Sequence, residues 1–232
     1  MSAGARLERS TGGAHAFHHR PLELDDEQPA VWIHEVDRPA LVLGSSQSID
    51  IVDTAAVDTA GWELTRRRSG GGIVTVERGR SCWIDVLLPR THARWSDDVN
   101  RAFLWVGEWW CRALTGLGLD GLEVYDGPIT NREFGRAVCF AGVGPGEVVQ
   151  RRDGKIYKVV GLSQRRTRDA ARFQGLYLRG WNPDPIERFV RPDAMPAGLK
   201  LGSVAAGAAT DAPAAVDVAD AFVGWLDQAV GV

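Results

Sequence analysis

Two β-rich runs, GEVVQ and KIYKVVGLSQ, sit on either side of RRDGK, and a third, ARFQGLYL, follows shortly after. The Asp153-Gly154 pair suits a two-residue hairpin turn, where both central positions need positive φ. A chain built this way needs an antiparallel sheet, and the rest of the sequence must pack around it. AVWIHEV, PALVLGSSQ, WELTR, GIVTVER, CWIDVLLP, LEVYDG and AVCFAGVG also read as strands, with CWIDVLLP apolar enough to be central. Strands dominate and do not alternate regularly with helices, which predicts an α+β fold.

Helices are few. In SDDVNRAFLWVGEWWCRALTGLG, Val99, Phe103, Val106, Trp110 and Leu114 recur at helical spacing. Ser96 is the expected N-cap, with Asp97 and Asp98 at the positive end and Gly116 as the stop. Trp105 and Trp109 flank the stripe and are expected to pack on the sheet. DIVDTAAVDTAG starts at Asp and stops at Gly61, and PDPIERFV is a second short helix. AAVDVADAFVGWLDQAV is amphipathic, with Val218, Phe222, Trp225 or Leu226, and Ala229 facing inward. The stretch AMPAGLKLGSVAAGAATDAP before it reads as linker, and residues 1–28, polar and Gly/Ala-rich, read as a flexible arm. The remaining residues, 29–232, are expected to form one domain.

Composition closes off several functions. The 232 residues carry a formal net charge of -3, which argues against a general nucleic-acid binder. No apolar run approaches the ~20 residues that span a bilayer, and the N-terminus has no apolar signal core. Cys82, Cys111 and Cys139 are too few and too scattered for a disulfide framework or a zinc site. A protein of a reducing, cytoplasmic compartment without membrane contact is expected.

Chemistry concentrates in three places. In RRRSGGG, successive glycines let backbone amides approach a ligand, and arginine forks match phosphate or carboxylate. Local chemistry leaves it divided between such an anion cradle and a solvated polar turn. In GKIYKVVGLSQRRT, period-2 alternation puts Lys158, Val160 and Leu162 on one face, so the ammonium needs a partner that an anionic ligand would supply. Two basic clusters beside glycines favour a small, multiply charged ligand. FAGVGPGEV reads as a loop at a pocket mouth. Cys139 is either a small buried residue or a nucleophile, and no histidine follows it, since His92 is the last. His15, His18 and His19 form an H-x-x-H-H cluster, but its place in a flexible arm argues against a metal site.

Together these pieces resemble the lipoate–protein ligase family, within the wider biotin/lipoate ligase and octanoyltransferase group. RRRSGGGIV is similar to the family's arginine-arginine-x-serine-triple-glycine signature, with Arg66, Arg67, Ser69, Gly70, Gly71 and Gly72 on matching positions. LVLGSSQ matches at Gly44 and Gln47, and KVVGLSQRRT at Lys158 and Gly161, with Ser163 beside them. The similarity runs from about Leu41 to Leu178.

The resemblance implies a mixed sheet flanked by helices, as in class II biotin/lipoate synthetase-like catalytic domains. It implies an acyl tunnel under the triple-glycine loop, with Lys158 at the acyl carbonyl and phosphate, and Arg67 and the Gly70–Gly72 amides assisting. It also implies ATP and Mg2+, acyl-AMP formation from a small-molecule fatty acid, and transfer to a lysine of a lipoyl-domain acceptor, such as a dehydrogenase E2 subunit or the glycine cleavage H protein. The sequence departs from the family in VTVERGRS after the glycines, in Phe173 and Gln174 where ligases carry paired histidines, and in FAGVGPGEV. The residues after Leu178 are too few for the separate C-terminal domain of long ligases, so a separate accessory subunit is one expectation. Three readings stay open: an ATP-dependent ligase, an ATP-independent octanoyl- or lipoyl-transferase with acyl carried on Cys139, and a non-catalytic acyl- or nucleotide-binding relative.

Overall fold

The computed structural model describes residues 5–24 and 28–225. In chain order these form β1 (Arg6–Gly12), α1 (Ala14–His19), β2 (Ala30–Val36), β3 (Ala40–Leu43), α2 (Thr54–Thr59), β4 (Glu63–Arg66), β5 (Val74–Val76) and β6 (Ser81–Pro89). There follow α3 (Leu104–Gly116), β7 (Leu122–Val124), α4 (Arg132–Ala137), β8 (Val148–Arg152), β9 (Lys155–Arg166), β10 (Ala170–Leu178), α5 (Asp184–Phe189) and α6 (Ala215–Gly224). The fold is α+β: two sheets flanked by helices.

The large sheet has the order β1-β2-β6-β10-β9-β8-β7, and a three-stranded sheet has the order β4-β3-β5. In the large sheet β1 and β2 are parallel and the other neighbours antiparallel. β6 and β10 lie at its centre, as the apolar sequence CWIDVLLP predicts. Asp153 and Gly154 turn β8 into β9 with φ of 50° and 70°, the conformation a tight hairpin requires.

Strand alternation sorts the core into layers. Cys82, Ile84, Val86 and Leu88 of β6 face α3 and α6, packing with Val106, Trp110, Leu114, Val218 and Phe222. Trp83 points the other way, with Leu178, and meets Val42, Val74 and Val76 of the small sheet. The small sheet's outer face, through Leu41 and Leu43, packs on Val57 of α2 and on Ile186 and Phe189 of α5. Trp105 meets Phe173 of β10 edge-on at 5.6 Å, packing on the sheet as expected, whereas Trp109 stacks on Phe222 of α6 with ring centroids 4.4 Å apart.

Several expectations are corrected. Residues 5–24 are not a loose arm: β1 pairs with β2 over seven residues, and α1 buries Ala14, Phe17 and His18. β1 carries no apolar pattern because it is an edge strand, held by backbone hydrogen bonds rather than by buried side chains. The 194–213 stretch is not a free linker, since Lys158 N donates to Ala205 O and Gly207 N to Lys158 O at 3.1 and 2.8 Å. AVCFAGVG is not a strand: it follows α4 with a short 3-10 turn over Cys139–Ala141. The long helix begins later than Ser96. Asp98 Oδ1 accepts from Asn100 N and Arg101 N at 2.9 and 3.3 Å, opening a 3-10 turn that runs into α3, and Val99 is exposed. Gly61 (φ 72°) does end α2. Of the inward positions expected in the last helix, Val218 and Phe222 are buried; Leu226 and Ala229 lie outside the described residues.

Candidate functional site

The chain from Arg67 to Gly72 forms a loop between β4 and β5, and each of its glycines meets different surroundings. A Cβ on Gly44 would lie 1.7 Å from Gly71 O, and one on Gly72 would lie 2.5 Å from the Ala137–Val138 peptide. Only glycine lets these backbones approach so closely. Around Gly70 there is nothing within 4 Å. Gln47 locks the neighbouring turn: its Oε1 accepts from Gly44 N at 2.9 Å, and its Nε2 donates to Ala137 O at 3.1 Å.

Arg67 is buried, and its fork is committed inward. Nη2 donates to Gly70 O and Gly72 O at 2.9 and 3.0 Å, and Nε to Gly70 O at 3.1 Å. Arg67 thus shapes the loop through Nε and Nη2 while still lining the cleft. The Gly72 amide is likewise engaged, donating to Gly135 O at 3.1 Å. Of the three glycines, Gly70 and Gly71 line the adjoining cleft.

Lys158 lies on β9, 2% exposed. It does not share a face with Val160 and Leu162 as simple alternation predicts. Val148 pairs with Val160 and Val149 with Lys158, so Val159 is an extra residue in β9. This bulge turns both Val159 and Val160 toward the α3 core and brings Gly161 round to the side of Lys158. A Cβ on Gly161 would sit 3.2 Å from both Lys158 Cε and the Phe140 ring.

The ammonium is already partnered. Lys158 Nζ lies 2.7 Å from Glu147 Oε1 and donates to Cys139 O and Gly142 O at 2.8 and 3.0 Å. Glu147 Oε2 accepts from Gly144 N at 2.8 Å, and its Oε1 from Leu162 N at 3.2 Å. FAGVGPGEV is thus a strap that delivers a buried carboxylate to Lys158. The strap is seated by close approach to α3, since a Cβ on Gly107 would lie 2.1 Å from Gly146 O. Glu147 was not singled out from sequence; its only signal there is an acid inside a glycine-rich loop.

Two spaces with shared walls lie at this point. The outer is an open cleft of about 390 Å³. Its walls include Gly70, Gly71, Cys139, Glu147, Lys158, Ser163 and two exposed arginines, Arg132 and Arg136. These arginines are four apart on α4 and so share one face, a pattern sequence reasoning passed over. The inner space is a cavity of about 40 Å³ walled by Val74, Val76, Trp83, Phe140 and Leu176, with Arg67, Ser163, Gln174 and His18 among its polar members. Arg67, Cys139, Leu162 and Ser163 line both. Ser69 Oγ ties the two β segments together, 3.0 Å from Ser163 Oγ and 3.2 Å from Gln174 Oε1. Gln174, noted in the sequence only as a departure from the family, is therefore a structural member of the site.

Beneath the site lies a buried ion cluster. Arg172 pairs with Asp85, which also accepts from Trp83 Nε1 at 2.9 Å and lies 2.8 Å from His34 Nε2. Burial alone would raise the Asp85 pKa, but Arg172 and His34 outweigh it and hold the carboxyl below the usual range. Arg172 Nη2 also donates to Phe17 O at 2.7 Å, which fixes the C-terminal end of α1. His15, His18 and His19 do not converge as metal ligands; among the described residues no group of three or more His, Cys, Asp or Glu side chains could hold an ion.

The lipoyl protein ligase A/B catalytic domain family matches residues 14–206. No curated protein sequence matches the chain. Among solved structures, a bipartite lipoate protein ligase from Thermoplasma acidophilum, studied with its E2 lipoyl domain, superposes with a TM-score of 0.71 at 16% identity, covering 98% of this chain and 84% of that one. A T. acidophilum structure described as a lipoate protein ligase with bound lipoic acid gives 0.69 at 16% identity over 99% and 87% of the two chains. A lipoate-protein ligase A bound with ATP gives 0.69 at 17% identity over 99% and 86%. With the family matched over most of its length, this chain belongs to the lipoyl protein ligase A/B catalytic-domain family.

Proposed function

We propose that the protein activates lipoate or a related carboxylic acid as its acyl-adenylate and transfers the acyl group to a lysine of a lipoyl-type carrier domain. The observation that carries this reading is the junction of a cationic outer cleft with an apolar inner cavity, with Lys158 beside it and Gly70–Gly71 along its edge. A molecule that is apolar at one end and multiply anionic at the other fits that shape. The relatives with lipoic acid, ATP and an E2 lipoyl domain in their descriptions support the choice of acid, nucleotide and acceptor.

In the first step a carboxylate oxygen attacks the α-phosphorus of ATP and pyrophosphate leaves. In the second a carrier lysine amine attacks the acyl carbonyl and AMP leaves. The Gly70 and Gly71 amides would face the charge that develops at the phosphate and carbonyl oxygens, joined by Lys158 once it exchanges one of its three present acceptors for a ligand oxygen. Arg132 and Arg136 would hold the outgoing phosphates. Mg2+ would enter with those phosphates: Glu147, the one carboxylate lining the cleft, is bound by Lys158, so the residues form no protein cage for the ion.

Cys139 lines both spaces, which favours one second reading, an ATP-independent transferase with a thioester on that sulfur. Purified protein given free lipoate or octanoate and Mg-ATP separates the two. Pyrophosphate release that survives Cys139→Ser supports the ligase. No release, together with an acyl adduct on Cys139 from an acylated carrier, supports the transferase.

A further inference from the structure

His18 lines the inner cavity, yet half of its hydrogen-bonding capacity is unused. Its Nδ1 lies 3.4 Å from Gln174 Nε2, while its Nε2 is buried without a hydrogen-bond partner. Gln174 uses its Oε1 toward Ser69 Oγ at 3.2 Å, so its amide nitrogen is the end that meets His18. An amide nitrogen donates, so Nδ1 accepts and the ring proton sits on Nε2. Burial, with Arg67 adding to it, pushes the imidazole pKa well below its usual value, so the ring stays neutral.

This donor is held in place. Glu63, itself buried, accepts from Ala14 N and His15 N at 2.8 and 2.6 Å, clamping the start of α1. Arg172 clamps its other end through Phe17 O. The ring lies against Trp83 with centroids 4.3 Å apart. A buried N–H without an acceptor is costly. The other polar walls, Arg67, Ser163 and Gln174, are tied to the loop and strands by their own hydrogen bonds, and the rest include Val74, Val76, Trp83, Phe140 and Leu176.

We propose that His18 Nε2–H is a specificity donor at the inner end of the site, and that the preferred acid carries a hydrogen-bond acceptor on its distal portion rather than a plain alkyl end. The inference rests on the acid-activating reading above.

The test is calorimetric binding, with Mg-ATP present, of straight-chain alkanoic acids against acids of the same length ending in a methyl ketone. Wild type should prefer a keto acid about tenfold, the worth of one hydrogen bond to an otherwise unpaired buried donor. His18→Leu should reverse that preference, and His18→Gln, which keeps a donor, should restore part of it. Equal affinities for the pair, or a preference for the alkanoate, in wild type would overturn the donor assignment while leaving acid activation standing. Binding of neither series would overturn both. The wild-type comparison decides even where a variant fails to fold.

Discussion

Gly44, Gly70 and Gly72 carry the same absent side chain in three different surroundings. At Gly44 and Gly72 an added methyl meets backbone at 1.7 and 2.5 Å; at Gly70 it meets nothing within 4 Å. Gly44→Ala and Gly72→Ala should each lower the thermal midpoint by several degrees, since backbone cannot move aside cheaply. Gly70→Ala should leave the midpoint unchanged and reduce adenylate formation, because its methyl would stand where the ligand approaches. Thermal melts beside pyrophosphate assays check this contrast. Lys158 is more entangled than the sequence suggested. Removing it alone strands the buried Glu147, a loss of about 3–5 kcal/mol for a broken buried pair, so Lys158→Ala should be unstable as well as inactive. Lys158→Met paired with Glu147→Gln removes both charges and should recover most of that stability without recovering turnover. A double variant that turns over normally would remove Lys158 from the chemistry. The sequence revealed Lys158 and the need for a counter-charge. It did not reveal that the counter-charge is internal, because Glu147 meets Lys158 only through the turn of the 142–147 strap.

At the scale of elements, the β9 bulge decides which side chains face the site. Period-2 reading of KVVGL fails at Val159–Val160, where two valines turn to the same core. The glycine two residues further on gives no sign of the slip, because register is set by the partner strand β8. The hairpin, the central position of β6 and the stop of α2 at Gly61 were legible because turn chemistry and apolar runs are local signals. β1 and α1 were not legible, since their order comes from Glu63, Arg172 and backbone pairing with β2. α4 supplies another prediction. Arg132 and Arg136 face the cleft from one side of a short helix, so Arg132→Gln with Arg136→Gln should raise the KM for ATP roughly tenfold or more, the worth of a charge-assisted contact. The KM for the acid should change little. Steady-state kinetics with each substrate varied in turn would show it.

For the molecule as a whole, the large and small sheets grip the inner cavity between them, and α1 closes it. Stability should therefore report on His18. Folded His18 resists protonation, whereas in the unfolded chain it titrates near 6.5. Its pKa is depressed on folding, so the unfolded state binds the extra proton, and stability is full above about pH 6.5 and falls as the pH drops through that value. His19, also lowered mainly by desolvation but far more exposed, adds a smaller effect of the same sign. Denaturant melts between pH 7.5 and 5 should show that decline, and His18→Leu should flatten most of it. Among the described residues no helix is long and apolar enough to cross a membrane.

The central claim is that outer cleft and inner cavity are two ends of one acyl-adenylate site. Native mass spectrometry of the protein incubated with lipoate and Mg-ATP tests it most directly. The account predicts a non-covalent complex whose added mass is that of lipoyl-AMP, formed by wild type and Cys139→Ser alike and discharged when a lipoyl domain is added. ATP and acid bound separately with no adenylate, or an acyl mass fixed covalently to Cys139, would contradict it.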